Sequence, residues 1–187
     1  MSVKEKRKNL TTRVALVGMF CALSIAVSFL ESLIPPLVSI PGAKPGFSNI
    51  VTMFCVSSLG VPYALAVTLF KAFFALITRG LTAFFMSLGG GLLSLLAMII
   101  LFKFTKNFFG YIGIGIICAL FHNIGQLAVA FIILGKGVTG LIPPLLLVAT
   151  VCGFVTGTVF KYTLPQLTRI TNPLFSTSSR SSKGVDK

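Results

Sequence analysis

Long uncharged, apolar runs alternate along the chain with short breaks that are polar or contain glycine and proline. A transmembrane helix needs about 20 consecutive apolar residues, and several of these runs reach that length. The pattern predicts membrane helices at roughly 12–34, 47–59, 62–78, 81–102, 108–134 and 141–160. We therefore expect an all-α integral membrane protein built as a six-transmembrane-helix bundle.

The number of helices depends on the break at Gly60-Val61-Pro62. If it is a turn, six helices place twelve Lys and Arg residues on one side and three on the other. If 47–78 is one helix, the division is seven against eight. Because Lys and Arg collect on the cytoplasmic side, the first count favours six helices with the N and C termini both cytoplasmic.

With 55% hydrophobic and 10% charged residues, the composition is that of an integral protein of the cell membrane. The basic residues behind the net charge of +13 lie mostly in tails and loops. They are therefore interpreted as signals that set the orientation in the membrane and as contacts with the lipid bilayer, rather than as a nucleic-acid-binding surface. We expect a basic N-terminal tail at 1–11, a membrane domain at 12–165 and a basic Ser/Thr-rich, disordered C-terminal tail at 166–187. A basic start before an apolar run is also typical of a signal peptide, but no clear cleavage site follows.

An irregular segment from Glu31 to Asn49 separates the first two helices and contains Lys44 and four prolines. Proline lacks the N–H donor that a helix needs, so the first helix must end here. Irregular backbone is tolerated at membrane depth where it is buried or lines a cavity. We interpret this segment as a cover over a ligand cavity on the outer face.

Lys71 lies inside the predicted third helix, about two turns before Arg79 at its outer end. A lysine at that depth is costly and by default indicates a functional site or an ion pair. The alternative is that its side chain extends along the helix to the membrane surface.

The predicted fifth helix carries His122, Asn123 and Gln126, which converge on one side because they are three and four residues apart. Such groups need hydrogen-bond partners in hydrocarbon. They indicate either a structural network between helices or contact with a ligand. Gly89, Gly90 and Gly91 in the fourth helix predict close helix contact or an irregular turn beside a ligand.

These observations predict a small-molecule site without a catalytic residue, metal or cofactor. Three cations face one acid, which favours an anionic or acceptor-rich ligand. Five aromatic residues, Phe47, Phe73, Phe74, Phe84 and Phe85, are candidate walls for a flat ring, or alternatively face lipid or core. The candidate ligand-binding residues are Glu31, Lys44, Asn49, Lys71, Arg79, His122, Asn123 and Gln126.

Gly18, Ala22 and Ala26 form a stripe of small residues along the predicted first helix. Small residues every four positions allow another helix to approach closely. The stripe is either a contact with the protein's own helices or a docking face for a separate membrane partner.

The small-residue stripe and the first loop resemble those of the substrate-binding S components of energy-coupling factor transporters. Three stretches, GAKPGFSNIVTM (42–53), FFMSLGGGLLSLL (84–96) and ALFHNIGQLAVA (119–130), resemble the Gx transporter family, also called heptaprenyl diphosphate synthase component I. The resemblance covers about 12–165. It implies capture of a micronutrient-like ligand from outside and docking through Ala22 and Ala26 on a membrane scaffold component with two cytoplasmic ATPases.

An enzymatic role is not expected. Prenyl diphosphate synthesis needs clustered carboxylates for Mg²⁺, and this chain has only Glu5, Glu31 and Asp186. No phosphate-binding Gly-x-x-x-x-Gly-Lys loop is present for ATP. The alternative to a transport protein is a non-catalytic membrane accessory subunit in prenyl diphosphate or quinone metabolism.

Overall fold

The computed structural model describes residues 3–33, 46–104 and 106–176. In these ranges the chain is helical and contains no strand. The elements are α1 (Val3–Leu33), α2 (Asn49–Ser58), α3 (Val61–Arg79), α4 (Leu81–Phe104), α5 (Lys106–Leu134), a 3-10 segment (Gly135–Leu141) and α6 (Ile142–Ser176). The prolines between α1 and Gly46, and Lys44 with them, lie outside the described residues.

Five of these helices are long and apolar enough to cross a membrane. Their apolar stretches are Leu10–Leu33, Val61–Arg79, Leu81–Lys103, Gly110–Leu134 and Ile142–Arg169. The protein is therefore a multi-pass membrane protein. α2 has only 10 residues, which corresponds to about 15 Å and to half the hydrocarbon thickness.

The predicted break between the second and third helices is confirmed at Gly60. Its backbone has φ 100° and ψ 176°, a conformation that side chains disfavour, and Pro62 lies in the first turn of α3. Helix ends differ more from the sequence prediction. α1 already begins at Val3, within the predicted tail, and α6 continues to Ser176.

Glycines bring α4, α5 and α6 into close contact. A Cβ on Gly115 of α5 would lie 2.5 Å from the Cα of Gly157 on α6, and a Cβ on Gly153 would lie 2.5 Å from the Cα of Ile116 on α5. A Cβ on Gly125 of α5 would lie 2.6 Å from the carbonyl oxygen of Gly89 on α4. The three glycines of α4 therefore serve close packing within an unbroken helix, not an irregular turn.

The apolar core lies where α2 meets the long helices. Phe54 of α2 stacks on Phe160 of α6 with ring centroids 4.8 Å apart, and Met98 of α4 and Ile114 of α5 are fully buried in the same cluster. The four cysteines are unpaired thiols and buried, where they pack as small apolar side chains. This core fixes α2 against the bundle and so positions its N-terminus beside the polar residues described next.

Candidate functional site

A polar cavity lies where α1, α3, α4 and α5 meet the turn that precedes α2. Its volume is about 10 Å³, which is roughly what one water molecule occupies by the same measure. The side chains around it are almost all buried, although they are polar or charged. The lining residues are Ser28, Glu31, Ser48, Lys71, Arg79, Ser87, His122 and Gln126.

Lys71 reaches this cavity from α3 and is only 2% exposed. Its ammonium donates to Ser48 Oγ at 3.3 Å and to Asn49 Oδ1 at 3.0 Å. The side chain is therefore held inside the protein, and the alternative that it extends to the membrane surface is wrong. A buried charge needs such charge-assisted hydrogen bonds to offset its lost hydration.

Glu31 faces the cavity from α1 and is 4% exposed. Its Oε1 accepts a hydrogen bond from the Ser48 backbone N–H at 3.3 Å, while Oε2 is buried and has no hydrogen-bond partner in the described part of the chain. Ser48 thus contacts both the acid of α1 and, through its hydroxyl, the ammonium of α3. The start of α2 lies between two opposite buried charges.

His122 and Gln126 complete the cavity from α5. They lie one turn apart, and the Gln126 amide nitrogen is 2.7 Å from His122 Nε2. The imidazole lies between two glycines, because a Cβ on Gly46 would be 3.0 Å from His122 Cδ2 and a Cβ on Gly90 would be 2.9 Å from Cε1. Any side chain at these glycines would press on the ring, so the glycines determine where the imidazole lies.

The structure brings together five of the eight candidate residues around the cavity, namely Glu31, Lys71, Arg79, His122 and Gln126. Arg79 is partly buried at the end of α3. Asn49 does not line the cavity but holds Lys71. Lys44 lies outside the described residues.

Asn123 is fully buried, and its Oδ1 has no hydrogen-bond partner in the described part of the chain. Its amide nitrogen donates to the Ala119 carbonyl of its own helix at 2.9 Å. Asn123 is not among the cavity-lining residues. The structure thus does not bring Asn123 into the cavity lining together with His122 and Gln126.

Sequence reasoning missed three serines of the cavity, Ser28, Ser48 and Ser87. Two of them had a usable signal. Ser28 lies three residues before Glu31 on α1, so both share a helix face, and Ser48 directly precedes Asn49. Ser87 lies in an apolar run beside the glycines of α4, where a single hydroxyl gives little indication of its partners.

None of the five phenylalanines proposed as ring walls lines the cavity. Phe73 and Phe85 are about half exposed on the outer surface of the bundle. Phe84 contacts both of them, with ring centroids 5.6 Å and 5.2 Å apart. Phe73, Phe84 and Phe85 therefore follow the alternative interpretation, in which the aromatic residues face lipid. The side chains that line the cavity are polar.

The small-residue stripe of α1 lies on the outside of the molecule. Gly18, Ala22 and Ala26 are all exposed, and a Cβ on Gly18 would meet nothing within 4 Å. Contact of the stripe with the described helices of this chain is thereby excluded. The opposite face of α1 carries Ser24, Ser28 and Glu31, which are buried.

The fold and the site define a multi-pass α-helical membrane protein with a buried, charged cavity near one end of a short helix. Residues 20–163 match the family model described as heptaprenyl diphosphate synthase component I. The match covers most of the 187 residues, so the chain belongs to this family. No curated protein and no solved structure matches the chain.

Proposed function

We propose that this protein is the membrane-embedded substrate-binding subunit of a transporter of the energy-coupling factor type. In this role it captures a small micronutrient-like solute, anionic or rich in acceptors, from outside the cell. It then docks through α1 on a membrane scaffold component that is driven by two cytoplasmic ATPases. It is not itself an enzyme.

The observation that carries the proposal is the cluster of buried ionisable side chains around one cavity. Transfer of a charge from water into a protein interior costs several kcal/mol per ion after relaxation. Burial of Lys71 and Glu31 therefore destabilises the fold, and packing of the bundle alone does not require charged residues at these positions. Inside a membrane protein such groups by default mark a solute or ion pathway.

The present cavity is too small for a solute of several heavy atoms, since it has room for about one water molecule. Binding therefore requires the elements around it to separate. We expect the turn at Gly46–Ser48 to move in this opening. Ser48 is held there by hydrogen bonds with Glu31 and Lys71, the two groups that a solute would contact instead. We expect solute binding to change the solvent protection of the amides of α2.

The exposed stripe of α1 supports the docking part of the proposal. Gly18, Ala22 and Ala26 leave a smooth strip on which a second helix can pack closely, and the described helices do not cover it. In the proposed topology α2 counts as a crossing, so six helices place both termini in the cytoplasm. The excess of cations at the termini and between α4 and α5 supports that orientation.

A second candidate is a membrane accessory subunit that associates with a soluble prenyl diphosphate synthase. The name of the family favours it. The chain has three carboxylates in total, and of these the structure describes the side chain of Glu31 alone. A catalytic site for Mg²⁺ and diphosphate would have to come from the partner.

Purification from native membranes tests both candidates. The complex is isolated in nanodiscs, its protein partners are identified, and the small molecules released on denaturation are measured by mass spectrometry. The transport proposal expects an integral scaffold protein with ATPases and a solute that is lost in Lys71→Met. Thr78→Val is the matched control, because Thr78 lies on the same helix, is exposed and bonds only to the Phe74 carbonyl among the contacts described. A soluble synthase without ATPases would favour the second candidate, and a solute that Lys71→Met retains would remove the cavity from the proposal.

A further inference from the structure

The cavity presents a hydrogen-bond donor and an acceptor that the described protein groups leave unused. An ammonium has three N–H donors, and Lys71 uses two of them on Ser48 and Asn49. One donor therefore remains for an acceptor on a solute. A carboxylate or phosphate oxygen is the strongest such acceptor.

Among the described residues, Glu31 has no hydrogen-bond donor for one of its two carboxylate oxygens. An ionised carboxylate only accepts hydrogen bonds, and its Oε2 has no donor within the described ranges although it is fully buried. Buried acceptors in proteins nearly always have a partner. An anion without an N–H or O–H group would not supply one.

Ser48 sets the distance between these two groups. Its backbone N–H contacts Glu31 and its hydroxyl contacts Lys71, so the carboxylate and the ammonium lie on either side of a single residue. A compact molecule can therefore reach both. The lining residues within the described ranges include no phenylalanine or tyrosine, so the part of the solute held here is small and polar rather than a large apolar ring.

We propose that the solute is a compact zwitterion, with an anionic group that binds Lys71 and a positively charged nitrogen that donates to Glu31 Oε2. This inference rests on the proposed solute-binding function and narrows it. An anion without a donor, or an amine without an anion, satisfies only one half of the site.

The test uses the wild-type full chain in nanodiscs and free amino acids as probes. Each amino acid is compared with its N-acetyl derivative, which keeps only the anion, and with its carboxamide, which keeps only the amine. Inorganic phosphate and succinate serve as simple anions. Binding is measured as the shift of the thermal unfolding temperature over a concentration series.

We expect at least one free amino acid to bind, and both of its single-charge derivatives to bind at least ten-fold more weakly. Glu31→Gln should lose that preference, and binding of the N-acetyl derivative should then equal binding of the free amino acid. If simple anions bind as tightly as every zwitterion, the zwitterion inference is wrong while the proposed function stands. If no probe binds at all, the zwitterion inference is wrong, and the solute released from the native complex decides the proposed function separately.

Discussion

Replacement of Gly125 by alanine tests whether glycine contacts between α4 and α5 position the cavity. A Cβ at Gly125 would lie 2.6 Å from the carbonyl oxygen of Gly89 and 2.8 Å from the Cα of Gly90. Ordinary contact begins at 3.4 Å. Both opposing atoms belong to backbone, so no side chain can move aside and the helices must separate by several tenths of an ångström.

The expected cost follows from overpacking, which typically destabilises by about 1–3 kcal/mol. Alanine regains about 1 kcal/mol of helix propensity over glycine. We therefore expect Gly125→Ala to lower the free energy of unfolding by up to about 2 kcal/mol. Gln126 follows Gly125 directly, so separation of the helices also moves the α5 side of the cavity.

Gly18→Ala is the matched control, because the same added methyl group on α1 meets nothing within 4 Å. The two variants are compared in nanodiscs by thermal unfolding and by the amount of solute released on denaturation. We expect Gly18→Ala to unfold at or above the wild-type temperature and Gly125→Ala below it, with less solute. Equal unfolding temperatures for the two variants would show that the close approach of α4 and α5 does not determine stability.

Three further substitutions test other parts of the structure. Lys71→Met removes the donor to Ser48 and Asn49 and takes a positive neighbour away from Glu31; we expect destabilisation by about 1–3 kcal/mol in thermal unfolding and at least a ten-fold loss of solute, and retained solute would contradict the site. Gly60→Ala forces a side chain into a backbone conformation reserved for glycine and should destabilise by about 1–3 kcal/mol in the same unfolding assay; an unchanged unfolding temperature would argue against the turn between α2 and α3. Ala26→Leu on the exposed stripe should leave unfolding and solute content unchanged and reduce co-purification of the membrane scaffold, whereas full recovery of that scaffold would place docking elsewhere.

The sequence predicted the membrane helices well because a bilayer imposes one strong rule. Backbone polar groups in hydrocarbon must be satisfied within a helix, so apolar length and glycine or proline breaks indicate where helices run. The break at Gly60 was predictable for this reason. Helix ends were less predictable, because in α1 and α6 the helix continues beyond the apolar residues into polar ones, where the hydrophobic pattern stops.

The charged members of the site could be predicted because a buried charge in an apolar run is rare and conspicuous. Lys71 and Glu31 stand out in this way, and so does His122. The serines were less conspicuous, since a hydroxyl can bond to its own helix and needs no special environment, as Thr68 does with the Ala64 carbonyl; only the positions of Ser28 and Ser48 beside Glu31 and Asn49 pointed to the site. Asn123 differs, because its amide nitrogen donates to the Ala119 carbonyl of its own helix and it does not line the cavity.

The two faces of α1 have a mechanical consequence. Ala22 and Glu31 are nine residues apart, about two and a half turns, so they project in opposite directions from one rigid rod. A roll of that rod that draws the carboxylate toward an incoming molecule also turns the alanine surface relative to the surrounding lipid. In the proposed transport role, this one helix therefore couples solute binding at Glu31 to the orientation of the docking stripe.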